Sequence, residues 1–181
     1  MLSRFSFRSG HLALDFAATL MFRDAQPLEL LDGPGALAAW GAQAGLASVE
    51  AAAGGLAGAV ATREAIYRLA RGRIAGEAPD PGALETLNAA AARPGLAPAL
   101  SPAGTLSRSG SADQLVAEIA RAAVELLGGP DAQRLRQCAR PGCTRLFIDR
   151  SRGATRAWCG MRECGNRVNA AAYRARRRTG S

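Results

Sequence analysis

The sequence contains no lysine, and its 23 strongly basic residues are all arginine. Aromatic residues make up only 5% of its 181 positions, so any core has to be built from Ala, Leu and Val. The length suits one modest domain plus a small module. No apolar run approaches the roughly 18–20 residues that a membrane-crossing helix needs, which excludes such a span. The segment His11–Phe22, preceded by Arg4 and Arg8, has the outline of a secretory leader. Asp15 interrupts it, however, and no small-residue cleavage site precedes Asp24, so we read it as folded protein in the cytoplasm. Catalytic signatures are missing as well. There is no Gly-x4-Gly-Lys phosphate loop, no dinucleotide-binding glycine pattern after a strand, no Gly-x-Ser-x-Gly elbow and no His-Glu-x-x-His. The single histidine, His11, has no partner motif and reads as a structural or exposed residue. These absences argue against an enzyme.

What is present is concentrated in the last quarter. All four cysteines lie there, as Cys138-x4-Cys143 and, after fifteen residues, Cys159-x4-Cys164. Two matched pairs suit a tetrahedral tetrathiolate site, with each pair gripping one edge from a tight turn. With no ligand position left over, the metal is structural, and we read it as one zinc ion. Two disulfides would need an oxidising compartment. An iron–sulfur cluster also takes four thiolates, but the common bacterial runs crowd three cysteines together.

Charge follows the cysteines. Residues 134–178 carry thirteen arginines against Asp149 and Glu163, a balance of +11, whereas residues 1–133 carry a balance of −3. A basic stripe on a metal-stapled module is the electrostatic footprint of a polyanion, most often nucleic acid.

The residues Cys138–Cys143 with Pro141-Gly142 between them, Leu146–Asp149, Ser151-Arg152, Arg156–Cys159 and the tetrapeptide Cys164-Gly165-Asn166-Arg167 resemble the CGNR zinc finger. That finger occurs in bacterial proteins described as stress-induced transcription regulators. The likeness spans about forty residues. Family members commonly carry a basic residue two positions after the signature arginine, where this chain has Asn169. Leu14-Asp15-Phe16 and Thr19, followed by Pro34–Trp40, similarly resemble the ABATE domain that usually precedes this finger, although Ala18 stands where asparagine is usual. The resemblance implies a two-part regulator.

Along the N-terminal part the pattern is mostly α with a small β component. Ser6–Gly10 suggests a short strand. Leu12–Phe22 is expected to form a three-turn helix, and Pro34 opens a second that turns Leu37, Trp40 and Ala44 inward. Ser48–Ile74 has the strongest helical pattern, with Ser48 as N-cap, Glu50 in the first turn, Gly54-Gly55 as a weak point, an apolar stripe of Ala59, Ile66, Leu69 and Ala70, and Arg63 on its flank. Asp80-Pro81-Gly82 opens a helix to about Ala92 with Leu84, Leu87 and Ala91 inward. Leu96–Leu100 and Thr105–Ser109 read as a β-hairpin that packs on the helices. Ser111 caps an amphipathic helix through Leu127, and Gly128-Gly129-Pro130 marks a boundary between a helical domain (1–129) and the zinc module (134–178), which ends in a helix.

Asp15, a carboxylate among apolar residues, is read as a cap for a neighbouring turn, with ligand contact as the alternative. Within the module, Pro141-Gly142 permits the first turn, and Phe147 and Trp158 serve as the mini-core. Leu146–Ile148 is expected to pair with Ala157-Trp158, and Asp149 to accept from Ser151 or Arg152. Cys164 stands at the start of the terminal helix. The expected metal ligands are Cys138, Cys143, Cys159 and Cys164. The expected nucleic-acid contacts are Arg152, Arg156, Asn166, Arg167, Asn169, Arg174, Arg176, Arg177 and Arg178, with Asn and Arg near the helix start reading bases and the last arginines meeting phosphate. The partner expected is DNA. RNA, or an N-terminal domain that binds a small molecule beside a purely structural finger, remains open at this point, as does a homodimer through Leu115–Leu127.

Overall fold

A computed structural model describes residues 4–46, 48–49 and 55–179. Helix α1 (Leu12–Ala17) starts where His11 adopts an extended backbone and its Nδ1 accepts the Ala13 N–H (3.3 Å). This helix is half as long as its periodicity suggests. Thr19 turns its hydroxyl onto the Phe16 carbonyl (2.7 Å), and the chain passes into β1 (Leu20–Met21), paired antiparallel with β2 (Leu28–Glu29). Apolar spacing over eleven residues cannot distinguish a helix from a helical turn followed by a buried strand. Residues 6–10 form no strand, yet the Ser9 carbonyl accepts the Ile148 N–H (2.8 Å) and so borders the zinc module.

Helix α2 (Pro34–Gln43) buries Leu37 and Trp40, with Ala44 half-buried beyond it. Gly41 allows its close approach to α5, since a Cβ there would lie 2.7 Å from a Leu115 methyl. The strongest helix begins later than expected. Ser48 does not cap it but lies in β3 (Ser48–Val49), paired parallel with the hairpin strand β5, and α3 runs Leu56–Ala75. Glu50 and Gly54 lie outside the described residues. Ala59, Ile66, Leu69 and Ala70 face inward as expected. Arg63 does not take the flank. It is 2% exposed, held by Glu29 (2.6 Å) and Glu64 (2.8 Å), and Arg23 reaches Glu64 (2.5 Å) from the other side while stacking on Tyr67. A buried guanidinium is tolerable only with such pairing, and the acid that supplies half of it comes from a distant strand.

Asp80 caps α4 (Pro81–Ala91), accepting from the Ala83 N–H at 2.7 Å. Ala83, Leu87 and Ala90 are buried, whereas Leu84 stays 38% exposed and Ala91 half-buried. β4 (Ala97–Leu100) and β5 (Leu106–Gly110) form the expected hairpin, but both strands are exposed. Its attachment comes from buried Leu96, whose N–H meets Glu118, and from the β3 pairing. Ser111 and Gln114 complete a capping box on α5 (Ala112–Gly128), which buries Leu115, Ile119, Ala123 and Leu126.

Helices α3, α4 and α5 pack on one another, and α1 lies against α3 and α5. A short 3-10 turn, Pro130–Arg134, then leads into β6 (Leu135–Gln137), which pairs antiparallel with β7 (Leu146–Ile148). The expected pairing of Leu146–Ile148 with Ala157-Trp158 is replaced by this one. Among the described residues a single backbone bond, Ala139 N–H to Ala157 carbonyl (2.9 Å), joins the later segment to the first. Alternation along β7 sets the whole arrangement. Leu146 and Ile148 join the helical core, with Leu135 of β6, while Phe147 points the other way among the cysteines.

Candidate metal centre and nucleic-acid interface

β6 delivers Cys138 and β7 anchors the strand that follows Cys143. The turn between them closes with the Cys143 N–H on the Arg140 carbonyl (2.9 Å), and Gly142 supplies the left-handed φ of 74°. Cys159 arrives on an irregular segment and donates its N–H to the Cys138 sulfur (3.5 Å). Cys164 lies in a π-helical turn, Met161–Gly165, whose Cys164 and Gly165 N–H groups both bond the Gly160 carbonyl at 3.1 Å. That turn continues into α6 (Asn166–Thr179), so the fourth ligand and the terminal helix are one piece of backbone.

The four sulfurs lie within 4.8 Å of one another, with Cys143–Cys159 at 4.0 Å, Cys143–Cys164 at 3.8 Å and Cys159–Cys164 at 3.4 Å. Zinc–sulfur bonds of about 2.3 Å in a tetrahedron require sulfur–sulfur edges of about 3.8 Å. None of the four is in a disulfide. The donor set therefore fits one zinc ion held by four protein ligands, a closed site with a structural role. Three of the sulfurs are buried and Cys143 is half-buried. As bare thiols they are forced into unequal states: hydrogen bonds from Cys143 and Cys159 hold the Cys138 thiol far below its usual range, while bonding to Cys138 pushes Cys159 up. Burial raises Cys164 to about 11. A divalent cation removes that conflict by favouring the thiolate at every ligand.

Residues 10–130 match the family described as "ABATE: Putative stress-induced transcription regulator", and residues 134–177 match the CGNR zinc finger. The chain belongs to the ABATE family. Its cysteine module is a CGNR zinc finger, and neither family description is enzymatic. No curated protein matches the chain.

Around the metal centre of this ABATE protein the sequence-predicted residues divide into two groups. Phe147 is fully buried beside the sulfurs, with Trp158 half-buried on the same cluster. Asp149 is buried and accepts from the Ser151 N–H (2.8 Å), the Ser151 hydroxyl (2.6 Å) and the Arg156 N–H (2.9 Å). The Ser151 hydroxyl holds its carboxyl below the usual range. Arg156, expected on nucleic acid, is committed to the finger instead. Its guanidinium stacks on Phe147 at 4.6 Å and donates to the carbonyls of Trp158 (2.8 Å), Cys159 (2.5 Å) and Arg8 (3.4 Å). The arginine thus satisfies two backbone carbonyls of the irregular second half of the finger and one of the N-terminal segment.

The other predicted contacts point outward. Arg152 is exposed in the loop that contains Gly153 and Ala154 at left-handed φ. On α6, Asn166, Arg167, Asn169, Arg174, Arg176 and Arg177 are exposed; Arg178 lies in the helix with its side chain outside the described residues. Of the apolar stripe expected on this helix, Val168 is half-buried, and the side chains of Ala172 and Ala175 lie outside the description.

Several arginines, in the finger and in the N-terminal segment, do a job that sequence reasoning missed. Arg145 reaches the Ser6 carbonyl (3.0 Å) and lies 3.8 Å from Asp15; Arg150 binds the Gly10 carbonyl (3.0 Å) and Asp131 (2.7 Å); Arg8 pairs with Glu163. Asp15 in turn accepts the N–H groups of Arg8 and Ser9, both at 2.9 Å. It caps a turn, and that turn carries the carbonyls to which the finger is tied. His11 likewise serves as a helix cap. Composition could not separate these fastening arginines from exposed ones, because the two kinds are interleaved along the chain.

Proposed function

We propose that the protein is a zinc-dependent transcription regulator that contacts duplex DNA through α6. The observation that carries this reading is the helix itself: it grows directly out of the metal-binding turn and exposes two asparagines and four arginines. A helix of this width enters a major groove, where arginine pairs with guanine and asparagine with adenine, while arginines further along meet phosphate. Zinc supplies rigidity, so the helix presents these groups in one pose. Arg167, Asn166 and Asn169, nearest the metal, are the base readers, and Arg174, Arg176 and Arg177 the phosphate contacts. The helical N-terminal part then serves as the sensing or interaction portion.

The test is fluorescence anisotropy of the zinc-loaded protein on duplex DNA selected from random sequence, at several salt concentrations, with double-stranded RNA alongside. Selected duplexes should bind at least a hundredfold more tightly than scrambled ones. Equal affinity for all duplexes and for RNA, falling steeply with salt, would reduce α6 to a non-specific polyanion contact.

A further inference from the structure

Between α3, α4 and α5, away from the metal centre, the helices leave a cleft of about 320 Å³ lined by Leu69, Leu84, Leu87, Val124 and Leu127. That size lies at the lower end of small-molecule sites. Two of its aliphatic walls are unusually open to solvent, with Val124 39% and Leu84 38% exposed. Three polar side chains, Arg73, Glu77 and Asn88, border it and are exposed to solvent. The left-handed Gly76 ends α3 between Arg73 and Glu77 and carries the acid out of the helix. In consequence, although four residues apart, the two do not pair, and among the described residues no ion pair involves either one. Opposite charges held near one apolar hollow without neutralising each other are complementary to a ligand that carries both charges on an apolar body.

We propose that this cleft binds a free amino acid with a large apolar side chain. The side chain fills the leucine–valine hollow, Arg73 takes the carboxylate, Glu77 the ammonium, and Asn88 bonds the same head group. An apolar floor alone would accept any hydrophobe; the unpaired rim charges select the zwitterion. The site is independent of whatever α6 binds. It nevertheless reaches Leu127 and Gly128, at the end of α5, from which the Pro130–Arg134 turn leads to β6 and Cys138.

Calorimetric titration of the zinc-loaded full chain with L-phenylalanine, phenylpropionate and phenethylamine tests this directly. L-Phenylalanine should bind at least about threefold more tightly than either analogue, each of which leaves one solvent-exposed rim contact unmade. Arg73→Gln should bring L-phenylalanine down to the affinity of phenethylamine, and Glu77→Gln down to that of phenylpropionate. Val124→Asp, at a solvent-exposed position that leaves folding intact, should abolish binding, with an unchanged melting temperature in the absence of ligand as the control. Equal affinity for all three compounds, binding that survives Val124→Asp, or no heat from L-phenylalanine would each overturn the proposal.

Discussion

Cys159 is the ligand with the most to lose. Its sulfur lies within 4.0 Å of two others and its N–H bonds a third. Cys159→Ser should purify without zinc, forfeiting the roughly 10 kcal/mol or more that a structural zinc contributes to a small module. Hydrogen exchange should then show lost protection from residue 157 onward, with β7, which belongs to the helical core, and α3 to α5 still protected. The cysteine spacing was legible because ligand geometry is a local property of two tight turns. Arg156 was not, since its direction depends on the Phe147 ring, on how the irregular segment after it aims the Trp158 and Cys159 carbonyls, and on the Arg8 carbonyl of a distant segment. Arg156→Ala should lower the finger's stability by about 2 kcal/mol, measured as an earlier zinc release in denaturant, and leave DNA affinity unchanged at saturating zinc. Asp15 permits a sign test. Burial raises its carboxyl pKa against the pull of the Ser9 and Arg8 N–H groups and of Arg145. The folded state thus holds the proton more tightly than the unfolded chain, so stability falls as pH rises from the ordinary carboxylate value through the raised one. Asp15→Asn keeps an acceptor for both N–H groups and should flatten that slope in thermal melts between about pH 4 and 7. Asp15→Ala should instead cost about 2 kcal/mol at every pH, because two N–H groups lose their acceptor.

Among the helices, α6 differs from the rest in having little besides the metal-binding turn to pack against. Deleting residues 173–181 removes Arg174, Arg176, Arg177 and Arg178 but no zinc ligand. The slope of log affinity against log salt should become shallower by about 3 to 4, since each phosphate contact contributes about 0.9. An unchanged slope would place the contacts elsewhere on the basic surface. α1 and α3 show where periodicity misleads. Both have apolar residues at helical spacing beyond their true ends, but strand pairings with β2 and with β5 capture those ends. The pairing partners lie seven to nine and about sixty residues away, in segments that the helical pattern itself does not include.

For the whole molecule, the strands that carry the first cysteine pair also complete the helical core. Leu135, Leu146 and Ile148 are buried against it, each worth about 1.5–3 kcal/mol. Domain stabilities are only about 5–15 kcal/mol in total. A fragment of residues 1–133 should accordingly show no cooperative thermal transition by circular dichroism, and a sharply melting fragment would show that the helices stand alone. By itself the sequence determined the helical class, the single metal, its four ligands and the basic terminus, because each depends on spacing or composition within a short stretch. Tertiary structure alone decided which arginines fasten and which are presented, that Arg63 is buried, and that one strand serves two cores. Those outcomes depend on which distant carbonyl, acid or ring lies opposite a side chain, and only the closed chain supplies that.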